Sequence, residues 1–490
     1  MEKLEEYLPE GAKHVGALQK EGKPADEVLT ALTEMAARDV DWRAGRILSG
    51  LYDPGPVAYE LSAEAYKRFL TQNALYLNMY PSAARMEKDV VCSVAELLRG
   101  DDAVVGNMTS GGTESIILAV KTARDHARQH RPEITDPEIV LPVSAHPAFH
   151  KAAHYLGLRT VVTALDPADG FRADVRAFVA ALSPNTILGV GSAPNFSHGT
   201  IDPIPEMAGE AAKRGILFHV DACVGGLYLS FMRRMRMCAR DFDFSVDGVT
   251  SISADMHKYG YAPKNASVLL YRNRDLRIHA IFTCSGTTEY AVINPTVLSS
   301  KSTGPIAASW AVMRHLGENG YERIVRETWD ATRAMIEGIE TIDGIEVLAE
   351  PDICMFTLGS HEISIFELND EMKVRGWLLL PQFACGGGPA NLHVSVSSSN
   401  VPLVDRFLAD LREAVAYLRA EGPLVNREQM AAKLAALAGA PFEELMMELA
   451  IMTGLTGTEL PERMAPMNTV LDLLPAATRD RMLAVFINAS

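Results

Sequence analysis

The sequence predicts an α/β protein built around a mostly parallel sheet with helices on both faces. Short apolar runs alternate with stretches of helical periodicity through the centre of the chain. The runs lack the polar alternation of a half-exposed strand, so they suit a sheet that is buried on both faces. Alternation of strands and helices favours parallel pairing. The predicted strands are Ile139–Ser144, Thr160–Ala164, Thr186–Gly191, Ile216–Asp221, Val249–Ala254 and Ser267–Tyr271.

Helical segments precede, separate and follow these strands. Gly50 and the Pro54–Pro56 segment break the periodicity near the N-terminus, and Gly100 ends a later helix. Beyond residue 345 the pattern changes to strands at 346–348, 353–358 and 392–396 mixed with helices, which is typical of a smaller α+β domain. The predicted helices are 25–37, 58–72, 85–99, 116–129, 175–182, 204–213, 306–318, 321–339, 369–375 and 402–420.

These changes of pattern divide the chain into four parts. An N-terminal helical segment covers 1–90, and a large α/β domain covers 91–325. A small α+β domain follows at 326–425. The last part, 426–490, is a helical tail rich in methionine and alanine. A chain of 490 residues is long enough for several cores, which agrees with this division.

Charge and composition exclude several classes of protein. A net charge of −16 argues against a nucleic-acid partner, since phosphate binding needs a basic face. The six dispersed cysteines form no CxxC motif, and we expect reduced thiols in a cytoplasmic protein. No stretch approaches the ~20 apolar residues of a membrane helix. No histidine spacing of the HExxH type is present, so the sequence predicts no metal.

A glycine-rich segment before a helix is a candidate phosphate site. The segment is Thr109-Ser-Gly-Gly-Thr-Glu-Ser115, and it offers Ser110, Gly111, Gly112 and Thr113. Glycines let the backbone approach an anion, and the first helical turn presents unpaired N–H groups at the positive end of its dipole. An ordinary capped helix start is the alternative interpretation of this segment.

Asp221 ends a predicted buried strand and needs a cationic or donor partner there. The pyridinium nitrogen of pyridoxal phosphate (PLP) would serve, and a carboxylate would keep that nitrogen protonated. The charged ring could then act as an electron sink. The alternative is an aspartate that caps the following turn.

Lys258 follows the next predicted strand, so its amine would emerge at the carboxyl edge of the sheet, where α/β proteins bind ligands. A partly desolvated lysine near other cations has a lowered pKa and can react with an aldehyde. His257 beside it is a candidate proton shuttle. His146, just past another strand, could stack on a flat ring. Together with Asp221 and the glycine-rich segment, Lys258 predicts a PLP site.

These residues resemble a known family, the sphingosine-1-phosphate lyase branch of the fold-type-I PLP enzymes, related to the group II amino-acid decarboxylases. The resemblance covers about residues 10 to 425. Its most specific motifs are Thr109–Ser115, Ser192-Ala-Pro-Asn195, His219-Val-Asp-Ala-Cys223 and Ser253-Ala-Asp-Met-His-Lys-Tyr-Gly-Tyr-Ala-Pro-Lys264. The fold it implies has a mostly parallel seven-stranded sheet and a smaller C-terminal α+β domain.

The resemblance also implies roles for single residues. Lys258 would bind the cofactor aldehyde, Asp221 the ring nitrogen, and His146 the ring face. Gly112 and Thr113 would hold the phosphate, while Ser300 would reach in from a neighbouring subunit of a homodimer. Lys264 and Tyr52 would lie in the substrate pocket. The implied reaction breaks the Cα–Cβ bond of a phosphorylated long-chain base and yields a fatty aldehyde and phosphoethanolamine.

Three positions depart from the family pattern. Tyr76 stands where a histidine is usual, Phe196 where a tyrosine often follows the Ala-Pro motif, and Lys301 where an arginine is typical. Lysine keeps the charge but loses the bidentate fork that suits a phosphate. The alternatives are therefore a PLP amino-acid decarboxylase, a lyase for another amino phosphate or amino alcohol, and a PLP-fold binding protein without turnover.

Overall fold

The computed structural model describes residues 20–76, 78–238, 240–288, 290–437, 439–454 and 461–489. The α-helices are α1 Ala25–Met35, α2 Pro56–Arg68, α3 Pro81–Leu97, α4 Gly112–His130, α5 Ala148–Leu156, α6 Val175–Ala181, α7 Ile204–Ala212, α8 Gly225–Arg234, α9 Arg274–Arg277, α10 Thr303–Ile339, α11 Ile365–Val374, α12 Val404–Glu421, α13 Arg427–Ala436, α14 Phe442–Thr453, α15 Ala465–Leu473 and α16 Ala476–Ala489. The strands are β1 Val105–Thr109, β2 Glu138–Pro142, β3 Arg159–Thr163, β4 Leu165–Asp166, β5 Arg172–Ala173, β6 Thr186–Ser192, β7 Leu217–Asp221, β8 Ser251–Ala254, β9 Ser267–Tyr271, β10 Phe282–Cys284, β11 Val292–Asn294, β12 Glu346–Val347, β13 Met355–Gly359, β14 Leu380–Gln382 and β15 Asn391–Ser395.

A seven-stranded sheet forms the centre of the molecule, in the order β1-β9-β8-β7-β6-β2-β3. The pairs among β3, β2, β6, β7 and β8 are parallel, whereas β9 runs antiparallel to both β8 and β1. Strands β2, β6, β8 and β9 are buried at every position, as their apolar sequences predict for a sheet covered on both faces. The carboxyl ends of β6, β7 and β8 therefore meet at one edge.

The edge strand β1 was missed from the sequence because Val105-Gly-Asn-Met-Thr109 mixes apolar residues with a glycine and an asparagine. Tertiary packing explains that composition. A β-carbon on Gly106 would lie 2.3 Å from the carbonyl oxygen of Leu269 on β9, so only glycine allows this close pairing. The strand β1 leads directly into the glycine-rich segment and so places that segment at the edge where β6, β7 and β8 have their carboxyl ends.

Most predicted strands and helices are present, with ends that differ by a few residues. The expected pair of helices at 306–318 and 321–339 is one element, α10, in which Gly317 has a non-helical backbone (φ 55°). The predicted strand to Ser144 ends at Pro142, which leaves 143–147 free to form the turn that carries His146. The domain boundaries stay predictions, and residues 1–19 of the first segment lie outside the described part.

The small domain and the tail pack together. A four-stranded antiparallel sheet, in the order β12-β13-β15-β14, carries α11 and α12. Helices α13 to α16 form a separate apolar cluster around Leu449 and Val470. The Asp472 carboxylate of α15 accepts a hydrogen bond from the Ala384 amide (2.6 Å) and pairs with Arg427 (2.8 Å). Among the described residues no helix is both long and apolar enough to cross a bilayer.

Candidate active site

Asp221 and Lys258 lie at the same edge of the central sheet. Asp221 is the last residue of β7, where it pairs in register with Ser192 of β6 and Ser253 of β8. Lys258 follows the end of β8 by four residues. Because β6, β7 and β8 are parallel, their carboxyl ends place both side chains in one region, as the sequence predicted.

The Lys258 amine is held by a carboxylate that sequence reasoning missed. Its Nζ lies 3.0 Å from Oδ2 of Asp255, a side chain that is almost fully buried, and His257 Nε2 lies 3.4 Å from the same oxygen. Asp255 Oδ1 has no hydrogen-bond partner among the described residues. The signal was present in the sequence, since Asp255 stands three residues before Lys258 at the end of a buried strand.

This arrangement sets the protonation of the site. Burial by itself lowers the pKa of Lys258, but Asp255, with smaller contributions from Cys223, Tyr52 and Asp221, outweighs burial and raises the pKa above its usual value. Burial lowers the pKa of His257, which Asp255 opposes only in part. The ligand-free site therefore holds a charged amine beside a neutral imidazole. His257 Nδ1 accepts a hydrogen bond from the Ala266 amide (3.3 Å), which fixes the orientation of the ring.

The glycine-rich segment forms an open helix N-terminus at the same edge. Gly111 is the N-cap of α4, with φ 145°, and no side chain caps the helix there. Helix starts carry unpaired N–H groups and a positive dipole end, so Gly112 and Thr113 offer an anion site. A β-carbon on Gly112 would lie 2.9 Å from both Asp255 Oδ2 and Cys223 Sγ. Only glycine therefore lets this turn approach Asp255 and Cys223, beside Lys258, so closely.

Glu114 keeps this turn in place. Its carboxylate accepts hydrogen bonds from the Ser110 amide (2.5 Å) and from the amides of Val297 (2.6 Å) and Leu298 (3.1 Å). Glu114, in the first turn of α4, thus ties the segment to the 297–302 loop. Ser300 and Ser110 line one cavity of about 270 Å³ in the same chain. A contribution of Ser300 to a neighbouring subunit stays a prediction.

The Asp221 carboxylate is 8 % exposed and accepts a hydrogen bond from the Cys223 amide at 3.0 Å. Behind it on β7, His219 is fixed by Ser251 (2.8 Å) and Ser253 (3.1 Å). Asp221 is thus rigidly positioned and capable of accepting a further donor. The capping interpretation is confirmed by this hydrogen bond, whereas the role of Asp221 as partner of a ring nitrogen stays a prediction.

Tyr52 and Lys264 lie together beside Lys258, although they are more than 200 residues apart in sequence. The Lys264 ammonium lies 5.3 Å from the centre of the Tyr52 ring, which packs edge-on against Tyr259 at 5.0 Å. Burial raises the pKa of Tyr52 to about 12, with Lys258 opposing the shift. Burial and the nearby Lys258 lower the pKa of Lys264. The phenol therefore stays protonated at neutral pH and is a donor.

The remaining candidates lie at the rim. His146 is exposed on the turn after β2, and its Nδ1 accepts a hydrogen bond from the Ala148 amide (3.1 Å). Phe196 stacks on His393 at 4.2 Å, and Lys301 pairs with Glu87 at 2.5 Å, so its charge is already compensated. Tyr76 is 43 % exposed. Lys301 is therefore less available to a phosphate than its sequence position predicted.

Comparison with known proteins identifies the family. The model of the pyridoxal-dependent decarboxylase conserved domain matches residues 18–358. The sphingosine-1-phosphate lyase of Arabidopsis thaliana is 39% identical over 82% of this chain and 74% of its own length, and sphingosine-1-phosphate lyase 1 of Rattus norvegicus is 38% identical over 84% and 71%. The chain belongs to the sphingosine-1-phosphate lyase family of pyridoxal-dependent enzymes.

A solved structure of this family agrees with the fold. The sphingosine-1-phosphate lyase of Burkholderia pseudomallei K96243 covers 89% of this chain and 100% of its own, with a TM-score of 0.78 and 34% identity. A second family model, for a C-terminal HTH domain of pyridoxal-dependent enzymes, matches residues 410–489. These findings confirm the fold class and the PLP cofactor that the sequence predicted.

The described residues fit PLP. Lys258 supplies an amine next to the unpartnered Asp255 Oδ1, Asp221 a carboxylate for the ring nitrogen, and the uncapped turn at Gly111–Gly112 a cradle for the phosphate. When bound, the cofactor supplies a protonated ring that delocalises the electron pair of a breaking bond. His146 lies free to cover the ring face, and that role stays a prediction.

We expect the Asp255→Asn variant to attach PLP at lower pH than the parent. Attachment needs the neutral amine, and Asp255 raises the pKa of Lys258; without that carboxylate, burial dominates and the pKa falls. The measured quantity is the rate at which apoprotein gains the absorbance of bound PLP between pH 6 and 10. In the variant this rate should begin to increase at a lower pH than in the parent. Asp136→Asn, at an exposed carboxylate, should match the parent. An unchanged profile in Asp255→Asn would contradict this assignment.

Proposed function

We propose that the protein is a PLP-dependent aldehyde-lyase. It cleaves the Cα–Cβ bond of a phosphorylated long-chain base, of the sphingosine 1-phosphate type, to a fatty aldehyde and phosphoethanolamine. The observation that carries the proposal is the Lys264–Tyr52 pair beside Lys258. Two lysines and a protonated phenol at one site suit a substrate that combines an amine with a phosphate. The 38–39% identity to sphingosine-1-phosphate lyases supports the same substrate class.

Different residues of this site serve different proton transfers and contacts during bond cleavage. The substrate β-hydroxyl loses a proton as its carbon becomes the aldehyde carbonyl, and Cα gains a proton after the bond breaks. Lys258 would hold the cofactor aldehyde, and once the substrate amine occupies that position the lysine amine would be placed to move a proton at these atoms. His257 is neutral, and because its Nδ1 accepts from the Ala266 amide, its Nε2 carries the hydrogen and faces Asp255 as a donor. Tyr52 donates a hydrogen bond to the substrate, and Lys264 attracts the substrate phosphate.

Product analysis tests the proposal. Holoenzyme incubated with dihydrosphingosine 1-phosphate should release hexadecanal and phosphoethanolamine in equal amounts, measured by mass spectrometry. The same base without phosphate should react much more slowly, because Lys264 then has no anion to bind. Release of carbon dioxide from aspartate or glutamate, without cleavage of the phosphorylated base, would contradict the proposal in favour of a decarboxylase. Cleavage of short amino phosphates alone would replace the long-chain substrate.

We further propose that the protein acts as a cytoplasmic homodimer in which Ser300 of the partner subunit joins the phosphate site. Exposed apolar side chains near Ser300 favour a partner surface; they are Met79, Phe282, Ile293, Val297 and Leu298. None of the six cysteines forms a disulfide, which suits a reducing compartment. Light scattering on the native protein should give the mass of two chains, and a monomer with full activity would contradict the shared site.

A further inference from the structure

Three histidines form a cluster on the far side of the large domain. His126 and His130 lie four residues apart in the last turns of α4, so they share one face of the helix. His279 belongs to the 3-10 turn Ile278–Ala280, which packs against the same helix. The sequence predicted no metal because its histidines show no HExxH-type spacing, whereas this cluster combines a simple i, i+4 pair with a distant residue.

The three rings are close enough to share one ion. Their centroids are 4.4 Å apart for His126 and His130, 5.2 Å for His126 and His279, and 5.7 Å for His130 and His279. One ring nitrogen of each lies within 4.8 Å of the others. Zn–N bonds of about 2.0–2.1 Å need nitrogens roughly 3.3 Å apart, so small side-chain rotations complete the set. The cluster is graded in exposure, from buried His279 to exposed His130, which gives an ion a route from solvent.

The surrounding charges permit a cation. Lys121 is engaged by the Asp125 carboxylate at 3.1 Å and by the carbonyl oxygen of His279 at 2.5 Å. Arg131 donates to the carbonyl oxygens of Thr186 (3.1 Å) and Pro184 (2.6 Å). The C-terminal end of α4 adds the negative end of its dipole.

We propose that His126, His130 and His279 form a binding site for one divalent transition-metal ion of the Zn²⁺ class. Three imidazole nitrogens without a carboxylate select such ions over Mg²⁺ or Ca²⁺, which prefer oxygen ligands. Water takes the fourth position on the exposed side. Because the ion bridges α4 to the 278–280 turn, it adds to the apolar packing around Leu118 and Leu276 and to the hydrogen bond from Lys121 to the His279 carbonyl oxygen.

The metal site stabilises the fold and does not take part in the reaction. His126 lies fourteen residues along α4 from Gly112, which places it roughly 21 Å from the phosphate turn at 1.5 Å per residue. An ion that binds the native state but not the unfolded chain raises the midpoint of thermal unfolding. The expected effect is therefore a higher Tm with Zn²⁺ and an unchanged spectrum of bound PLP.

Metal titration of tag-free, chelator-treated holoenzyme tests the proposal. Calorimetry with ZnSO₄ should give one equivalent per chain that is absent from the His126→Gln/His130→Gln double variant. Co²⁺ should give the visible d–d absorption of a nitrogen-coordinated ion in the parent alone, well separated from the PLP band. His154→Gln, which removes an exposed histidine from α5, is the matched control and should bind as the parent does.

The outcomes are distinct. Loss of one equivalent and of the Zn²⁺-dependent rise in Tm in the double variant, but not in His154→Gln, supports the site. Equal binding by parent and double variant overturns it, as does a parent that binds no Zn²⁺. If the double variant unfolds without metal, His130→Gln, at an exposed position, decides the question in the same two measurements.

Discussion

Lys258→Ala should lower turnover of a phosphorylated long-chain base by about 10⁴-fold or more. In the proposed mechanism the side chain would provide the covalent attachment of PLP and also a proton donor at the reacting carbon, and proton transfer alone contributes about 10²–10⁴-fold. Borohydride treatment of the parent holoenzyme should add one pyridoxyl group at position 258, seen by peptide mass spectrometry. The variant should show no such adduct, and its bound PLP should lose the absorbance of the lysine-linked form.

The control for this prediction is Lys213→Ala, at an exposed lysine that follows α7 and pairs with Glu210. It should keep full activity and the adduct at position 258. An adduct that persists elsewhere in Lys258→Ala, together with activity, would mean that another lysine holds the cofactor. Lys264, whose pKa burial also lowers, is the residue to examine in that event.

Asp221→Asn should reduce turnover by about 10³-fold while PLP stays covalently bound through Lys258. As the proposed ring-nitrogen partner, the Asp221 carboxylate would keep that nitrogen protonated, and a preorganised charge of this kind is typically worth two to three orders of magnitude in rate. An amide of the same shape still accepts from the Cys223 amide, so the turn after β7 should survive. Single-turnover kinetics should locate the loss in kcat, with little change in substrate affinity.

Two measurements separate this effect from simple loss of cofactor. The borohydride adduct should form in Asp221→Asn to the same extent as in the parent. Asp247→Asn, at an exposed carboxylate, should leave kcat unchanged. Activity within a few-fold of the parent in Asp221→Asn would contradict the assignment of the ring-nitrogen partner.

The cofactor half of the site follows from local sequence. Asp221 and Lys258 each follow a buried strand, and the glycines at 111 and 112 precede a long helix. These features depend on residues close in the chain, so their approximate positions at the sheet edge were predictable. The position of Asp255 near Lys258 was also predictable, because both residues lie in the same motif. Its role was not, because that depends on which neighbour the buried carboxylate contacts.

Other contacts depend on long-range packing. Only the family resemblance, and no local pattern near Tyr52, put that residue in one pocket with Lys264, and nothing in the sequence near Lys301 indicates that its charge pairs with Glu87. The histidine cluster shows the same difference, since its third member, His279, lies 149 residues after His130. Side chains so far apart meet only when helices and loops pack around the sheet.

By itself the sequence determined the α/β class and the PLP cofactor, and it predicted an attachment lysine, a ring-nitrogen acid and a phosphate turn, because strand periodicity, glycine and charge act over a few residues. Only the tertiary structure decided that Asp255 sets the charge of Lys258 and that Glu114 joins the phosphate turn to the Ser300 loop. It also brought His279 to the two histidines at the C-terminal end of α4. Each of these outcomes depends on burial and distance between remote segments, and these quantities exist only once the chain is packed.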